Sequence, residues 1–499
     1  MMNDNTDITF SFIDIEEFKK ISGDANPLHI DEIYARKTPF GETVVYGVLV
    51  LLRAISTIKI NKGLFLKKIN VEFTKAAFID IPYTVKIATK SEKRITLNVF
   101  DGTISILKAN LYIEKSNVPV LPVFTNQKVS LLKNPRRLNF SEIRKGDTFT
   151  GEYAITQYLS PLLDKLSIDW LTPSQLLTII CSSYIVGMEL PGVQALFVGM
   201  ELDFPIQYPE EGTLHYCVTV KKTDERVGFV EFQSNYNIGG IHVASGLYKT
   251  FLRPDSPSAL ETTEISVVPK PISLNKKTVL IVGGSRGIGA NVAANIANCG
   301  ANVIICYKKC HEDALIIKNK YPDKILLLQG DASNLTWCID AANSILSKFE
   351  KLDSILLCAT PAIRPLRFDI KTSDRMNHFV EKSVRLITTP LAAFIPLLDK
   401  PGGKCLFMSS QVVNQPFVDW PHYVSAKFAI EGFIRTIKLQ YPAIDYYILR
   451  PPKVLTDQMN TNIGRMDAIP PNAVAQKIVE ILTKESPFKH LEIVEDFIM

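Results

Sequence analysis

The second half of the chain alternates short apolar runs with amphipathic segments, and this rhythm constrains the fold more than any other feature. The apolar runs are continuous, as expected of strands that are buried on both faces of a sheet. The amphipathic segments between them have the periodicity of helices. We therefore predict a doubly wound parallel sheet, with strands at 278–282, 303–307, 325–329, 354–358, 404–408 and 446–449.

A glycine-rich turn follows the first of these strands and opens a helix. It runs from Gly283 to Gly289 with the sequence Gly-Gly-Ser-Arg-Gly-Ile-Gly. Glycines let the backbone approach a pyrophosphate, and the helix N-terminus supplies free N–H groups and the positive end of its dipole. Because this turn lies between a strand and a helix of an α/β unit, it predicts a dinucleotide site.

Three polar residues further along complete a recognisable set. Ser410 precedes Tyr423 by thirteen residues, and Lys427 lies one helical turn after Tyr423. Together with the glycine-rich turn, this set resembles the short-chain dehydrogenase/reductases, most closely the 3-oxoacyl-carrier-protein reductase type. The resemblance implies that Tyr423 donates a proton to a carbonyl oxygen that Ser410 orients. It also implies that Lys427 lowers the pKa of the phenol and holds the nicotinamide ribose.

The same resemblance implies an NADP(H) cofactor. Arg286 and Lys308 match basic residues that favour the 2′-phosphate of NADP over NAD, and Asp331 and Ala332 match the adenine-binding position. The predicted cofactor-binding residues are Gly283, Ser285, Arg286, Gly287, Ile288, Gly289, Lys308, Asp331, Ala332, Ala359, Tyr423, Lys427 and Thr456.

Three positions depart from the reductase pattern. Where the family has Asn-Asn-Ala-Gly, this sequence has Leu-Cys-Ala-Thr at 357–360. The Asn that the family carries on a helix corresponds to Ser383. The family's Pro-Gly beneath the nicotinamide is Pro-Pro at 451–452. Ser383 is shorter than Asn, so it is expected to hold the water of the proton relay less well. Two alternatives stay open: an active but slower reductase, and a domain that binds the cofactor without catalysing reduction.

A second motif lies near the start of the sequence, where Asp24 and His29 flank an Asn-Pro step. Pro27 fixes its own φ and favours an extended Asn26, so we predict a rigid bend rather than a helical turn. Such a bend can hold a carboxylate and an imidazole at a set separation, where they can grip a water or take a proton. The alternative is an ordinary Asx-type turn with a surface His.

The longer pattern around this motif is more specific. Residues 18–35, followed by Phe-Gly-Glu-Thr-Val-Val-Tyr-Gly at 40–47, resemble the signature of the MaoC-like, or (R)-specific, enoyl-thioester hydratases. Tyr46 stands where that family usually has His.

This second resemblance implies a hot-dog fold and a site for acyl thioesters. Asp24 and His29 would hold the water that adds to a 2-enoyl thioester or leaves a 3-hydroxyacyl thioester. Backbone N–H groups at the start of the central helix, with Gly47 among them, would polarise the thioester carbonyl.

Residues 140–253 repeat the pattern of the first 120 residues. An apolar helix is predicted at 173–190, with Pro at its start, and four strand-like runs follow it. Met-Glu-Leu-Asp-Phe at 200–204 echoes Ile-Asn-Val-Glu-Phe at 69–73. We infer a second hot dog without the Asp/His motif, since the nearest segment, 160–164, has no His. It either completes the acyl tunnel or carries an independent thioesterase-like site.

These patterns divide the chain into four predicted segments and give a mixed α/β and α+β fold class. The segments are a hot-dog dehydratase domain at 1–122, a second hot-dog domain at 136–253, a Pro- and Ser-rich linker at 254–274, and a short-chain dehydrogenase/reductase domain at 275–499.

Composition argues against several other classes of protein. The chain is 46% hydrophobic and 21% charged, which is close to an average globular composition. Its net charge is +5, but its Lys and Arg residues form no block of the kind typical of nucleic-acid binding. Its eight cysteines contain no Cys-x-x-Cys, which indicates a reducing, cytoplasmic location and no metal site. The most apolar window, 44–60, contains Arg53 and is too short to span a bilayer, so we expect no membrane association.

Together, these patterns predict a bifunctional enzyme. It would reduce a 3-oxoacyl thioester with NADPH and dehydrate the (R)-3-hydroxyacyl product, which one chain would keep local. An acyl-carrier-protein or CoA substrate and a homo-oligomer are expected from the two families. Three alternatives stay open: a hydratase with a non-catalytic reductase-fold docking domain, a multifunctional β-oxidation enzyme, and a non-enzymatic carrier-protein scaffold.

Overall fold

The computed structural model describes most of the chain, in two compact units. The first unit contains Met1–Arg36 and Glu42–Asp255, and the second contains Lys37–Gly41 and Ser256–Met499. The segment 160–164 and most of the predicted linker at 254–274 lie outside the described residues. The described residues are 5–59, 64–115, 129–154, 165–166, 168, 170–206, 212–257, 273–349, 351–398, 401–484 and 491–497.

An antiparallel sheet of ten strands forms the frame of the first unit. Its strands are β1 (Asn5–Ile8), β2 (Leu64–Phe73), β3 (Tyr83–Lys90), β4 (Arg94–Asp101), β5 (Ile104–Lys115), β6 (Thr148–Tyr153), β7 (Ala195–Asp203), β8 (Leu214–Asp224), β9 (Phe229–Ile238) and β10 (Ile241–Leu252). Their spatial order is β1-β3-β4-β5-β2-β7-β10-β9-β8-β6. Each half of the unit therefore supplies five strands, and the halves join where β2 pairs with β7.

The α-helices that the structure describes in full in this unit are α1 (Phe12–Ser22), α2 (Pro27–Ile30), α3 (Glu32–Arg36), α4 (Gly47–Ser56) and α5 (Pro173–Tyr184). A 3-10 turn lies at Phe140–Glu142. The two central helices are almost completely buried, since α4 packs on β5, α5 packs on β10, and the two helices contact each other. This burial explains why so many of their residues are apolar, and it confirms the predicted hot-dog architecture.

The second central helix ends differently from the prediction. Thr172 caps α5 through a capping box with Gln175, whose side chain also donates to the Leu66 carbonyl at 2.7 Å. The predicted helix at 173–190 is regular only to Tyr184, and Ile185–Glu189 then form a π-helical turn. A π-helical turn mostly occurs as a single turn within an α-helix, and such turns are frequent at functional sites.

The second unit contains the predicted parallel sheet, with one strand more than expected. Its spatial order is β13-β12-β11-β14-β15-β16-β17. The strands are β11 (Thr278–Val282), β12 (Asn302–Tyr307), β13 (Ile325–Gln329), β14 (Ser354–Leu357), β15 (Gly403–Met408), β16 (Ile444–Leu449) and β17 (Leu491–Val494). The helices are α6 (Gly287–Asn298), α7 (His311–Lys320), α8 (Leu335–Phe349), α9 (Ser373–Leu398), α10 (Pro421–Gln440) and α11 (Pro471–Thr483), with 3-10 turns at Gln411–Val413 and Asp457–Met459.

Helices cover both faces of this sheet and create two apolar cores. On β11, Val279 and Ile281 enter one core, while Leu280 and Val282 enter the other. Burial on both faces is the reason for the continuous apolar runs in the sequence. The carboxyl ends of the strands meet at one edge, which is where sheets of this kind bind ligands.

Candidate active sites

Asp24 lies in the turn between α1 and α2, and its side chain is buried. The chain turns at Gly23, which adopts a left-handed conformation with φ 66°. Asn26 has the predicted extended backbone and caps α2 by accepting the Leu28 N–H. The predicted bend was wrong beyond that point, because Pro27–Ile30 form a helical turn with Pro27 at its first position.

The carboxylate of Asp24 accepts hydrogen bonds at both oxygens. The Asn26 N–H donates to Oδ1 at 3.0 Å, and the Ser183 hydroxyl donates to Oδ2 at 2.8 Å. Burial raises the pKa of Asp24 to about 7, and the hydrogen bond from Ser183 opposes this rise. This carboxyl group can therefore gain and lose a proton near neutral pH, as acid–base chemistry requires.

The second half of the first unit supplies one wall of this site. Ser183 lies on α5, and Gly187 lies in the π-helical turn that follows it. A Cβ at Gly187 would lie only 2.3 Å from Asp24 Oδ1, so no other residue fits against the carboxylate. The Asn26 side chain donates to the carbonyls of Gly187 and Gly192, both at 3.1 Å. The site is thus built from both halves.

His29 is held as a neutral imidazole. Its Nδ1 lies 2.8 Å from the Val44 carbonyl oxygen, which makes Nδ1 the protonated nitrogen and leaves a lone pair on Nε2. Burial lowers the pKa of His29 to about 4, and the nearby Arg253 guanidinium acts in the same direction. The imidazole can therefore accept a proton at Nε2 at pH 7.

Tyr46, which replaces the usual His of the resembled family, contacts both members of the pair. Its hydroxyl donates to the backbone carbonyl of Asp24 at 2.7 Å. Its ring stacks on the His29 ring, with the centroids 3.8 Å apart. Burial raises the pKa of Tyr46 well above its usual value, so the phenol stays neutral. The substitution therefore supports the positions of Asp24 and His29.

Gly47 begins α4, immediately after Tyr46. No side chain caps this end of the helix, and the first N–H groups of a helix have no acceptor within it. A Cβ at Gly47 would lie 2.9 Å from the Phe73 ring, so the glycine allows close packing of β2 on the helix start. These N–H groups, at the positive end of the helix dipole, are suited to polarising a carbonyl oxygen.

The structure brings Ser410, Tyr423 and Lys427 together at the carboxyl edge of the parallel sheet. Ser410 follows β15, and the other two residues are one turn apart on α10. Tyr423 shares a side-chain hydrogen bond with Ser410. The Lys427 Nζ lies 5.3 Å from the centroid of the Tyr423 ring and donates to the Met408 carbonyl at 2.7 Å.

Burial shifts the pKa values of Tyr423 and Lys427, and these shifts bear on how the tyrosine can be activated. It raises the pKa of Tyr423 to about 12, which the hydrogen bond with Ser410 opposes. It also lowers the pKa of Lys427 to about 8, which Cys358 and Glu431 oppose. A phenol with so high a pKa donates or releases its proton poorly at pH 7, so the neighbouring cation is needed to activate it.

The glycine-rich turn is closely packed against neighbouring backbone. Gly283 has a φ of 90°, and a Cβ there would lie 2.9 Å from the Ala359 Cα. A Cβ at Gly289 would lie 2.2 Å from the Gly283 carbonyl oxygen. The Thr456 side chain approaches Gly287 from the other side, 3.4 Å from a Cβ placed there. This is the tight, side-chain-free turn that a pyrophosphate requires.

Carboxylates hold the two predicted 2′-phosphate residues. Arg286 donates to Asp313 at 2.7 Å and to Asp457 at 2.6 Å, and Lys308 donates to Asp331 at 2.6 Å. A bound phosphate would therefore compete with these carboxylates or share the cations with them. Of the other predicted cofactor residues, Ser285 lies within the turn, while Ile288 and Ala332 pack against the two apolar cores.

Two of the departures from the reductase pattern make local contacts. The Cys358 thiol lies 3.2 Å from the Val282 carbonyl oxygen and 3.3 Å from that of Gly283, so it ties the end of β14 to the glycine-rich turn. The Ser383 hydroxyl donates to the Phe379 carbonyl of its own helix at 2.7 Å. Its proton is therefore engaged, and only its lone pairs can hold a relay water.

Sequence reasoning missed the residues that reach these sites from distant segments. Ser183 and Gly187 lie in the apolar segment predicted as the helix of the second hot dog, for which no contact with Asp24 is predicted, and neither Asp313 nor Asp457 belongs to the predicted site. One signal was present: an isolated Gly inside a helical pattern usually has a packing reason. Nothing in the sequence around Ser183 indicates its contact with Asp24.

Two family models match the chain. A MaoC like domain matches residues 2–106, and the short chain dehydrogenase model matches residues 277–467.

Individual proteins resemble the second of these regions. The oxidoreductase YciK of Escherichia coli K12 is 29% identical over 187 residues, which cover 35% of this chain and 71% of that protein. L-rhamnose 1-dehydrogenase (NADP(+)) of Thermoplasma acidophilum is 27% identical over 190 residues, which cover 36% of this chain and 74% of that protein. A short chain dehydrogenase of Burkholderia cenocepacia, solved with NADP, has a TM-score of 0.40 and 23% identity, and the match covers 44% of this chain and 97% of that one.

Two features are absent from the described residues. No helix among them is long and apolar enough to cross a membrane. The same part of the chain contains no group of three His, Cys, Asp or Glu side chains that could hold a metal ion.

Proposed function

Because the chain contains a MaoC-like domain and a short-chain dehydrogenase domain, we propose that it is a bifunctional acyl-thioester enzyme. It reduces a 3-oxoacyl thioester with NADPH and dehydrates the resulting (R)-3-hydroxyacyl thioester to a 2-enoyl thioester. The observation that carries this proposal is the presence of both polar sets in one chain, each with a buried and hydrogen-bonded ionisable group, Asp24 in one and Lys427 in the other. The product of the first step is the substrate of the second, and both act next to the same thioester carbonyl.

In the dehydration step, Asp24 and His29 exchange protons with the substrate. The neutral His29 takes a proton from C2 at Nε2, and the protonated form of Asp24 gives its proton to the hydroxyl that leaves C3 as water. Transfer of the proton from His29 to Asp24 then restores both groups. The N–H groups at the start of α4, Gly47 among them, stabilise the negative charge that develops on the thioester oxygen.

In the reduction step, bound NADPH supplies the hydride. The turn at 283–289 would hold the pyrophosphate of that cofactor, and Lys427 would bind its ribose. Ser410 orients the carbonyl group, and Tyr423 gives the carbonyl oxygen its proton with the Lys427 cation beside it. Because the Ser383 hydroxyl donates to its own helix, reprotonation of Tyr423 is slow. We therefore expect an active but slow reductase.

The preference for NADPH rests on Arg286 and Lys308. Both cations have the charge that a 2′-phosphate needs, although each is paired with Asp side chains. The name of the Thermoplasma relative, L-rhamnose 1-dehydrogenase (NADP(+)), supports the same choice. We expect kcat/KM for NADPH to exceed that for NADH by at least about tenfold, and initial rates with the two cofactors measure this directly.

Product analysis tests the whole proposal. Purified protein is given NADPH and a short 3-oxoacyl thioester, as the CoA ester in one series and on an acyl carrier protein in another, and products are identified by mass spectrometry. We expect enoyl product and a matching loss of NADPH. Unchanged ketone, with added 3-hydroxyacyl thioester still dehydrated, would establish a second candidate: a dehydratase whose reductase fold is silent. The substitutions at Ser383 and Cys358 are what favour that candidate. No reaction of either substrate would overturn both.

Replacing Ser183 with alanine tests the role of Asp24. The Ser183 hydroxyl stabilises the Asp24 carboxylate, so its removal is expected to raise the pKa of Asp24 further above its usual value. The limb of the pH–rate profile that belongs to Asp24 should move to higher pH by about one unit. Ser182→Ala is the matched control, because the Ser182 hydroxyl donates within α5, to the Ile179 carbonyl. Equal profiles for the two variants would show that Ser183 does not influence the titrating group.

A further inference from the structure

Glu431 is a buried carboxylate on α10, one helical turn beyond Lys427. It forms a bidentate pair with Arg450, with Oε1 2.9 Å from Nε and Oε2 2.6 Å from Nη2. Arg450 follows β16 directly and precedes the Pro-Pro step at 451–452. Planar double hydrogen bonds of this kind fix orientation as well as distance.

The same carboxylate reaches a third segment. The Ser409 hydroxyl donates to Glu431 Oε1 at 2.6 Å, and Ser409 is the residue before Ser410. The Pro451 carbonyl, next to Arg450, accepts the Gln411 N–H at 3.0 Å. One side chain therefore joins the helix that carries Tyr423 and Lys427 to the two strand ends that flank the site.

The burial of this pair calls for an explanation. Taking two charges out of water is costly, and apolar residues of the same size often stabilise a fold as well or better. Bidentate geometry alone offsets only part of that cost. An ionised carboxylate at this position is therefore expected to serve the site it adjoins rather than stability alone.

We propose that Glu431 is a positioning residue of the reductase site, which fixes Ser410 and Lys427 relative to each other through Ser409 and Arg450. The inference rests on the proposed reductase activity. Glu431 also acts through its charge, because it is one of the titratable groups around Lys427, with Tyr423 on the same helix and Cys358 after β14. Its negative charge raises the pKa of Lys427 and so opposes the effect of burial.

Glu431→Gln tests this inference, since glutamine keeps the size of the side chain and removes its charge. We expect kcat for reduction of a 3-oxoacyl thioester to fall at least about tenfold, with KM for NADPH within about twofold of wild type. Loss of the negative charge lowers the pKa of Lys427, so the rate should begin to fall at a lower pH on the alkaline side. A purely structural contact would leave that limb in place.

The matched control is Glu495→Gln. Glu495 accepts from Arg450 Nη1 at 2.8 Å but is largely exposed, and it does not contact Ser409. We expect wild-type kcat and an unmoved alkaline limb for this variant. In all variants, dehydration of added 3-hydroxyacyl thioester should remain unchanged, which shows that the first unit is folded. A KM for NADPH near the wild-type value reports the folding of the second unit.

The outcomes separate the inference from the proposed function. The positioning role would be overturned if Glu431→Gln had the same kcat and alkaline limb as Glu495→Gln. It would also be overturned if both variants lost most of their kcat for reduction. If Glu431→Gln does not fold, Ser409→Ala decides: it removes one hydrogen bond to Glu431, and we expect a several-fold fall in kcat, whereas an unchanged kcat would overturn the inference. A wild-type protein without any reductase activity would instead refute the proposed function.

Discussion

Replacing Gly187 with alanine is expected to abolish most of the dehydratase activity, with a loss of at least about 10²-fold in kcat, while reduction of the ketone continues. A catalytic group that is displaced by about 1 Å can cost that much. The reason lies in the space around Asp24. A Cβ at Gly187 would lie 2.3 Å from Oδ1, 2.5 Å from Oδ2 and 2.6 Å from Cγ of that residue.

Neither partner in this contact can move freely. The Asp24 carboxylate is held by Ser183 and by the Asn26 N–H. The Gly187 backbone is held in turn, because its carbonyl accepts from the Asn26 side chain. The added methyl group must therefore displace the carboxylate or break the contact between the two halves of the unit. Either change moves the Asp24 carboxylate out of the position that Ser183 and the Asn26 N–H give it.

The measurement is the rate of dehydration of a 3-hydroxyacyl thioester, with the rate of NADPH-dependent reduction as an internal control for folding of the second unit. Gly199→Ala is the matched variant. It lies on β7 of the same half, and its Cβ would meet Lys249 at an ordinary 3.5 Å. Gly187→Ala should approach the residual activity of Asp24→Asn. Activity within threefold of wild type would mean that the carboxylate position is not important for catalysis.

The sequence predicted both fold classes because their signals are local. Runs such as 278–282 are apolar at every position, and only a strand covered on both faces needs that pattern. The Asp24–His29 motif and the pair of Tyr423 and Lys427 are also contiguous, so short-range spacing was enough to find them.

Contacts between distant segments were not predictable in this way. Ser183 and Asp24 are 159 residues apart in the sequence, and their contact depends on how two hot-dog halves pair through β2 and β7. The π-helical turn that carries Gly187 has no sequence signal comparable to a Pro or a capping box. The site around Asp24 is built from both halves, and only the pairing of the halves shows this.

Three of the missed elements are short edge strands. β1 and β17 have four residues each, β6 has six, and all three lie at the ends of their sheets. Edge strands are commonly short and polar, which discourages pairing between molecules but also weakens the apolar pattern. The prediction of a bend at the Asn-Pro step was wrong for a different reason. The φ that Pro27 fixes suits both a bend and the first turn of a helix.

Replacing Lys427 with methionine is expected to lower the rate of reduction by about 10³-fold, within the range that acid–base groups contribute. Methionine fills the same buried space without a charge, so the loss reports the cation. Without it, only the hydrogen bond with Ser410 favours the ionised form of Tyr423, whose pKa burial raises to about 12. The rate of NADPH oxidation with a 3-oxoacyl thioester measures the effect. Lys438→Met, on the same helix, is the control, and dehydration should be unaffected in both.

The pH dependence separates the charge of Lys427 from its shape. Burial lowers the pKa of Lys427 to about 8, so the cation is present below that pH and is lost as the pH rises through it. The wild-type rate of reduction should therefore fall on the alkaline side near pH 8. Lys427→Arg keeps a charge at every accessible pH, so it should retain part of the activity and lose this fall. If the fall near pH 8 persisted in the arginine variant, another group would be responsible for it, and the prediction that Lys427 loses its charge near pH 8 during reduction would be wrong.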